Sequence, residues 1–116
     1  MNAVIGSMNV SDTSVISRLH PPIMGTMKAK AANGTLAEGL VVAKDSNGDL
    51  VAYDPVGLAP LNTPVGILVH ECDTTKDDAA VVLKHGTAVK SALLVGASAP
   101  DAADLAKLEA IGVFAV

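Results

Sequence analysis

The distribution of apolar and polar positions along the chain predicts strands and one short helix. The apolar runs GLVVAK and DLVAY flank the polar stretch DSNG, which contains Asn47-Gly48. This dipeptide suits a two-residue type I′ turn, in which both central residues have positive φ. We therefore predict a β-hairpin over residues 44–53. The Pro- and Gly-containing stretch DPVGLAPLNTP that follows has no regular period and is expected to be a loop.

A second hairpin is predicted from the runs VGILVHEC and AAVVLKHG, which flank the polar stretch DTTKDD. Side chains alternate along a strand, so Leu68, His70 and Cys72 are expected to share one face of the first run. We interpret this run as a core strand that ends in His70, Glu71 and Cys72 at an exposed or interfacial edge. Gly86 is expected to end the second run.

A short helix is predicted near the end of the sequence. Ser98 with Asp101 three residues later has the spacing of a capping box, Pro100 suits the first turn, and Gly112 provides a stop. The narrow apolar stripe expected on this helix consists of Leu105, Leu108 and Ile111. The final residues VFAV read as a strand, so the fold class is mainly β with one short helix, of the α+β type.

The first 27 residues differ from the rest of the chain because Ser, Asn, Asp and Thr are mixed with isolated Val, Ile and Met, and the segment contains Pro21-Pro22. We therefore divide the chain into an extended N-terminal arm, residues 1–27, and a β-rich knob domain, residues 28–116. The arm is either a frayed terminus or a segment that orders on a partner. Its aliphatic side chains favour a partner and are the candidate contact residues: Val4, Ile5, Val10, Val15, Ile16 and Leu19.

Composition narrows the functional classes. The core must be aliphatic, since Tyr53 and Phe114 are the only aromatic residues among the 116. A net charge of −4 with dispersed basic residues disfavours nucleic-acid binding. The single cysteine excludes an intrachain disulfide, and cytoplasmic folding is the default expectation. No apolar run reaches the roughly 18 residues of a membrane span, so neither a signal peptide nor a membrane anchor is expected.

Three residues suggest an alternative, a small metal- or thiol-dependent enzyme that uses His70, Cys72 and His85. Pairing geometry argues against this alternative. If Cys72 lies opposite Ala79, then His85 falls opposite Gly66, roughly 13 Å along the sheet from His70 at about 3.3 Å per residue. We therefore expect no catalytic residues, no metal and no cofactor.

The order of the segments resembles a known family. The run LVAYD (Leu50–Asp54), the strand VGIL (Val65–Leu68) with its polar turn, and the pair Gly86-Thr87 are together similar to the head decoration proteins of lambda-like tailed bacteriophages. The resemblance covers about residues 28–116.

This resemblance implies a capsid-stabilising cement protein rather than an enzyme. Family members bind as homotrimers at the three-fold and quasi-three-fold positions of the expanded phage head and stabilise it against internal DNA pressure. The resemblance further implies that the arm orders on the major capsid protein. The protein would be made in the cytoplasm of the host bacterium and would end on the outer surface of the virion.

Overall fold

The computed structural model describes residues 22–116, which form a six-stranded sheet, a separate two-stranded ribbon and one α-helix. The sheet order is β1-β7-β5-β3-β4, and β8 also pairs with β7. All of these pairs are antiparallel except β7 with β8. The predicted α+β class, mainly β with one short helix, is confirmed. The strands are β1 (Ile23–Lys28), β2 (Thr35–Leu36), β3 (Val41–Lys44), β4 (Leu50–Ala52), β5 (Pro64–Leu68), β6 (Cys72–Asp73), β7 (Ala79–Ala88) and β8 (Val113–Ala115).

The sheet carries a hydrophobic cluster on each face, because successive side chains of its central strands point to opposite faces and both sets are apolar. In β3, Val42 belongs to one cluster and its neighbour Val41 to the other, and both are fully buried. Leu36 and Cys72, from the ribbon formed by β2 and β6, complete the first cluster. Leu108, from the helix α1 (Ala102–Ala110), belongs to the second. Because both faces of the sheet are covered by apolar clusters, the chain needs many aliphatic residues.

The first predicted hairpin is confirmed, since β3 pairs with β4 and Lys44 lies opposite Leu50. The predicted type I′ turn is wrong, because Gly48 has φ +83° whereas Asn47 does not have positive φ. The Asp45 N–H donates to the Asp49 carbonyl at 2.9 Å, which leaves a three-residue loop that ends in a left-handed glycine. The Asp45 carboxylate also accepts the N–H groups of Asn47 and Asp49, both at 2.9 Å, and so stabilises this longer turn.

The second predicted hairpin forms with a different register and a shorter first strand. β5 ends at Leu68, and Ile67 lies opposite Leu83 in β7, one residue away from the expected pairing. The chain then bends, and Cys72 starts the separate strand β6, where it pairs with Leu36. The expectation that Leu68, His70 and Cys72 share one strand face is therefore wrong.

The helix starts later than predicted. Asp101 is its N-cap and Ser98 is not: the Asp101 carboxylate accepts the Asp104 N–H at 2.9 Å, and the Asp104 carboxylate accepts the Asp101 N–H at 3.0 Å. Pro100 consequently precedes the helix instead of lying in its first turn. Gly112 follows the C-cap with φ +89°, as predicted for the stop. Of the predicted stripe, Leu108 is buried, while Leu105 and Ile111 are half-buried against the same cluster.

Strand β8 confirms the predicted final strand, and β1 extends the sheet at its other end. β1 begins at Ile23, so residues 23–27 of this strand lie before residue 28, the predicted start of the knob domain. Met27 packs against the first cluster from this strand. Met27 is the one side chain of this strand that is half-buried, so the strand leaves little apolar alternation in the sequence.

Candidate functional site

The large apolar side chains that remain exposed among residues 22–116 lie in two places. Val56 and Leu58, in the loop after β4, are 92% and 84% exposed. A second group combines the start of β1 with the residues that follow β7 and β8. Its members are Ile23, Met24, Val89 and Val116, which are 54% to 68% exposed.

The second group meets at one end of the sheet because of the directions of the strands that flank β7. β1 is antiparallel to β7, so Ile23 lies opposite His85 near the end of that strand. β8 is parallel to β7, and the Val116 N–H donates to the Ala88 carbonyl at 2.9 Å. The Lys90 N–H in turn donates to the Val116 carbonyl at 2.8 Å. We call the exposed residues at this end the terminal surface: Pro22, Ile23, Met24, Val89 and Val116.

The terminal surface includes Pro22, the first residue that the structure describes. Pro22 lies against Gly86, since a Cβ atom added to that glycine would be 3.1 Å from the Pro22 Cα. The predicted contact residues Val4, Ile5, Val10, Val15, Ile16 and Leu19 all lie outside the described residues. Aliphatic side chains at a sheet end suit contact with another protein surface.

The alternative catalytic group is not assembled. Cys72 is 5% exposed and packs in the first cluster, where its Sγ atom lies 3.6 Å from the Asp77 carbonyl oxygen. Burial, followed by the charges of nearby aspartates, raises the pKa of this thiol. His70 is exposed, and His85 lies against Gly112 beside the start of β8. Within residues 22–116, no three His, Cys, Asp or Glu side chains are grouped so that they could hold a metal ion.

A buried polar contact that the sequence analysis missed links the helix to the loop after β4. The Tyr53 hydroxyl donates to the Asp104 carboxylate at 2.9 Å, and both residues are at least 95% buried. Burial, and next this hydrogen bond, raise the pKa of Tyr53 to about 12. Lys107 lies 5.5 Å from the centre of the Tyr53 ring and donates to the Asn62 carbonyl at 2.9 Å. In the sequence, this contact was indicated only by the single tyrosine and by the acidic residues at the start of the helix.

The exposed apolar side chains of the described residues are suited to protein binding. These side chains extend from strand β1, from the residues that follow β7 and β8, and from the loop after β4, and such apolar groups are typical of interfaces between proteins. No helix among residues 22–116 is long and apolar enough to cross a membrane.

Comparison with known proteins agrees with this geometry. A family model described as bacteriophage lambda head decoration protein D matches residues 12–115, which include all strands of the described residues and part of the segment predicted to be an N-terminal arm. No curated protein matches the chain. The match supports a structural role in the virion, where members of this family bind the phage capsid. The chain therefore belongs to the family of bacteriophage lambda head decoration protein D.

Proposed function

We propose that the chain is a cement protein that binds the expanded phage head as a homotrimer, at its three-fold and quasi-three-fold positions, and stabilises the head against internal DNA pressure. Family membership supports a role on the capsid. The observation that carries the finer proposal is the terminal surface, because its exposed apolar residues lie at one end of the sheet and include Pro22 and Ile23, the residues that follow the proposed arm in the sequence. This end faces the capsid.

The arm supplies the main contact with the major capsid protein. An extended segment that adds a strand to an exposed sheet edge gains main-chain hydrogen bonds and buries alternate side chains. The aliphatic residues of the arm are suited to such burial. Val15, Ile16 and Leu19 are nearest in sequence to Pro22, so they bind next to the terminal surface.

Three arms on one trimer bind the head more tightly than one arm, because the second and third contacts form at a high effective concentration. A cement protein gains from this arrangement, since one trimer then links several capsid subunits. Expansion of the head exposes the sheet edge that the arm binds, so the immature head does not bind the protein.

Co-sedimentation with empty heads of the cognate phage, before and after expansion, tests this function. The matched variant lacks residues 1–20 and retains Pro21-Pro22, because β1 starts at Ile23 and a longer deletion would damage the sheet. A second variant keeps the full length and carries serine at the aliphatic arm positions Val4, Ile5, Val10, Val15, Ile16 and Leu19.

We expect saturable binding of the full chain to expanded heads only, and loss of binding in both variants. Native mass spectrometry of protein released from heads, after chemical cross-linking, should give trimers. Unchanged binding by the truncated chain would refute the role of the arm. Failure of the full chain to bind either form of the head would refute the cement function.

A further inference from the structure

The loop between β4 and β5, residues 53–63, holds its apolar tip in a defined position. The Asp54 N–H donates to the Leu61 carbonyl at 3.0 Å, which closes the base of the loop. The Asp54 carboxylate accepts the Val56 N–H at 3.1 Å, and the Gly57 N–H donates to the Asp54 carbonyl at 3.1 Å. The Leu61 N–H donates to the Leu58 carbonyl at 2.9 Å. The loop is therefore ordered by its own hydrogen bonds.

The helix fixes the same loop from outside. Lys107 donates to the Asn62 carbonyl at 2.9 Å, and the adjacent Tyr53 is anchored by its bond to Asp104. These contacts keep Val56 and Leu58 almost completely in water. A hydrogen-bonded loop that displays two aliphatic side chains is suited to docking, because little conformational entropy is lost when it binds.

A complementary groove lies on the same molecule. It has a volume of about 470 Å³ and is lined by Lys90, Ser91, Ala99, Pro100 and Val116. The alanine, proline and valine make its wall mainly apolar, and the volume is sufficient for the side chains of Val56 and Leu58. Val116 also belongs to the terminal surface, so the groove borders the end that faces the capsid.

The loop and the groove are neighbours. Ala99 lines the apolar groove and also a larger groove whose wall includes Val56 and Leu61.

A head-to-tail contact that closes into a ring requires two different patches on each subunit, one for each neighbour. Charge is complementary as well, since Asp54 lies at the base of the loop and Lys90 lines the groove.

We propose that the loop of one copy docks in the apolar groove of a second copy, with Leu58 and Val56 against Pro100 and Val116. The contact is head-to-tail, and three copies close the ring. This inference rests on the proposed trimer and specifies the surfaces that build it.

Disulfide trapping tests the contact in the full-length chain on expanded heads. The background is Cys72→Ala, which removes the buried native thiol. The test variant combines Leu58→Cys with Ser91→Cys, one substitution in the loop and one in the groove. Each single substitution is a control, because it cannot form a chain of head-to-tail links. A second control combines Leu58→Cys with Ser46→Cys, which lies in the β3–β4 turn.

Oxidation should convert the test variant to covalent trimers, while the controls give no more than dimers. Failure to form trimers, with the unmodified chain trimeric on heads, would overturn the loop-and-groove contact and leave the proposed function intact. A covalent link between the major capsid protein and the chain that carries Leu58→Cys would also overturn the loop-and-groove contact. Absence of any trimer on heads would contradict the proposed function itself.

A second variant tests the energetics without cysteines. Leu58→Asp places a charge in the apolar groove and should weaken self-association by at least about tenfold. The matched control Ser46→Asp introduces the same charge in an exposed turn and should have no effect. Equal association of the two variants on heads would refute the proposal.

Discussion

The Tyr53 hydroxyl makes the clearest pH-dependent contribution among the described residues. Its pKa is raised from 10.0 to about 12, so the folded state disfavours the phenolate. The stabilisation is complete below pH 10 and is lost as the pH rises from about 10 to 12. We expect the free energy of unfolding to fall by about 2 to 3 kcal/mol across this range.

Urea denaturation at a series of pH values measures this loss. Tyr53→Phe is the matched control, because it should remove the part of the loss that depends on ionisation of the phenol. Tyr53 is the only tyrosine in the chain, so ultraviolet absorbance can follow its ionisation directly. A phenol that titrates near its ordinary pKa in the folded protein would contradict the buried hydrogen bond with Asp104.

Cys72 should be protected from thiol reagents. Its side chain is buried and its pKa is raised, so both access and the thiolate fraction are reduced. We expect an aromatic disulfide reagent to react at least about 100-fold more slowly with the folded protein than with the urea-unfolded chain. Equal rates would show that the ribbon formed by β2 and β6 does not cover the thiol.

At the scale of single residues, the sequence showed which side chains are present but did not show which of them are buried. His70 and Cys72 were both expected at an exposed or interfacial edge; His70 is exposed, whereas Cys72 is buried. Its burial depends on pairing with Leu36, which is 36 residues earlier in the chain. The alternation of apolar and polar residues around Cys72 contains no information about a contact with a residue so far away in the sequence.

At the scale of elements, Gly66 decides how closely β5 and β7 approach. An added Cβ would overlap the Leu83 carbonyl oxygen and lie 2.5 Å from the Val82 Cγ1 atom. Gly66→Ala should therefore lower the free energy of unfolding by about 2 to 3 kcal/mol, since the two central strands must separate. Thermal and urea denaturation measure the change.

Gly34→Ala is the matched control for this glycine. Gly34 has φ +75° with no atom within 4 Å of its added Cβ, so alanine there costs only the left-handed backbone term of about 1 to 2 kcal/mol. A larger effect at Gly34 than at Gly66 would refute the close packing of β5 against β7.

Both hairpins were predictable because each has two apolar runs around a polar turn. The turn geometry and the strand register were not, since the Asp45 carboxylate selects a longer turn and the chain bends after Leu68. The helix start shows the same limit. Ser98 and Asp101 are each followed three residues later by an aspartate, and only the second arrangement lets Asp104 also accept the Tyr53 hydroxyl.

At the scale of the whole molecule, the terminal surface predicts a change in affinity without a change in stability. The double variant Met24→Ser with Val89→Ser removes two exposed apolar side chains from this surface. We expect its affinity for expanded heads to fall by about tenfold, while its free energy of unfolding changes by less than about 0.5 kcal/mol. Quantitative co-sedimentation and urea denaturation measure the two quantities.

Lys76→Ser is the control, because Lys76 is exposed in the turn between β6 and β7, away from the terminal surface. Equal affinity of the double variant and the control would show that another face meets the capsid.

The family was recognisable from the order of the segments LVAYD, VGIL and Gly86-Thr87, because that order reflects the whole fold. The terminal surface was not predictable. It requires the antiparallel pairing of β1 and the parallel pairing of β8 to bring Ile23 and Val116 to the same end of β7. These pairs join residues that are far apart in the sequence.

The central position of β7 also determines when the fold can be completed. During synthesis, β1 emerges early but has no partner until β7 follows, and Gly86 cannot pair with Val113 until the last strand has been made. Formation of the sheet is therefore dominated by non-local contacts, which are typical of slow folding, on the order of milliseconds to seconds. Until β7 has been made, both edges of β1 are unpaired, so newly made chains are most vulnerable to aggregation in the interval before residues 79–88 have been added.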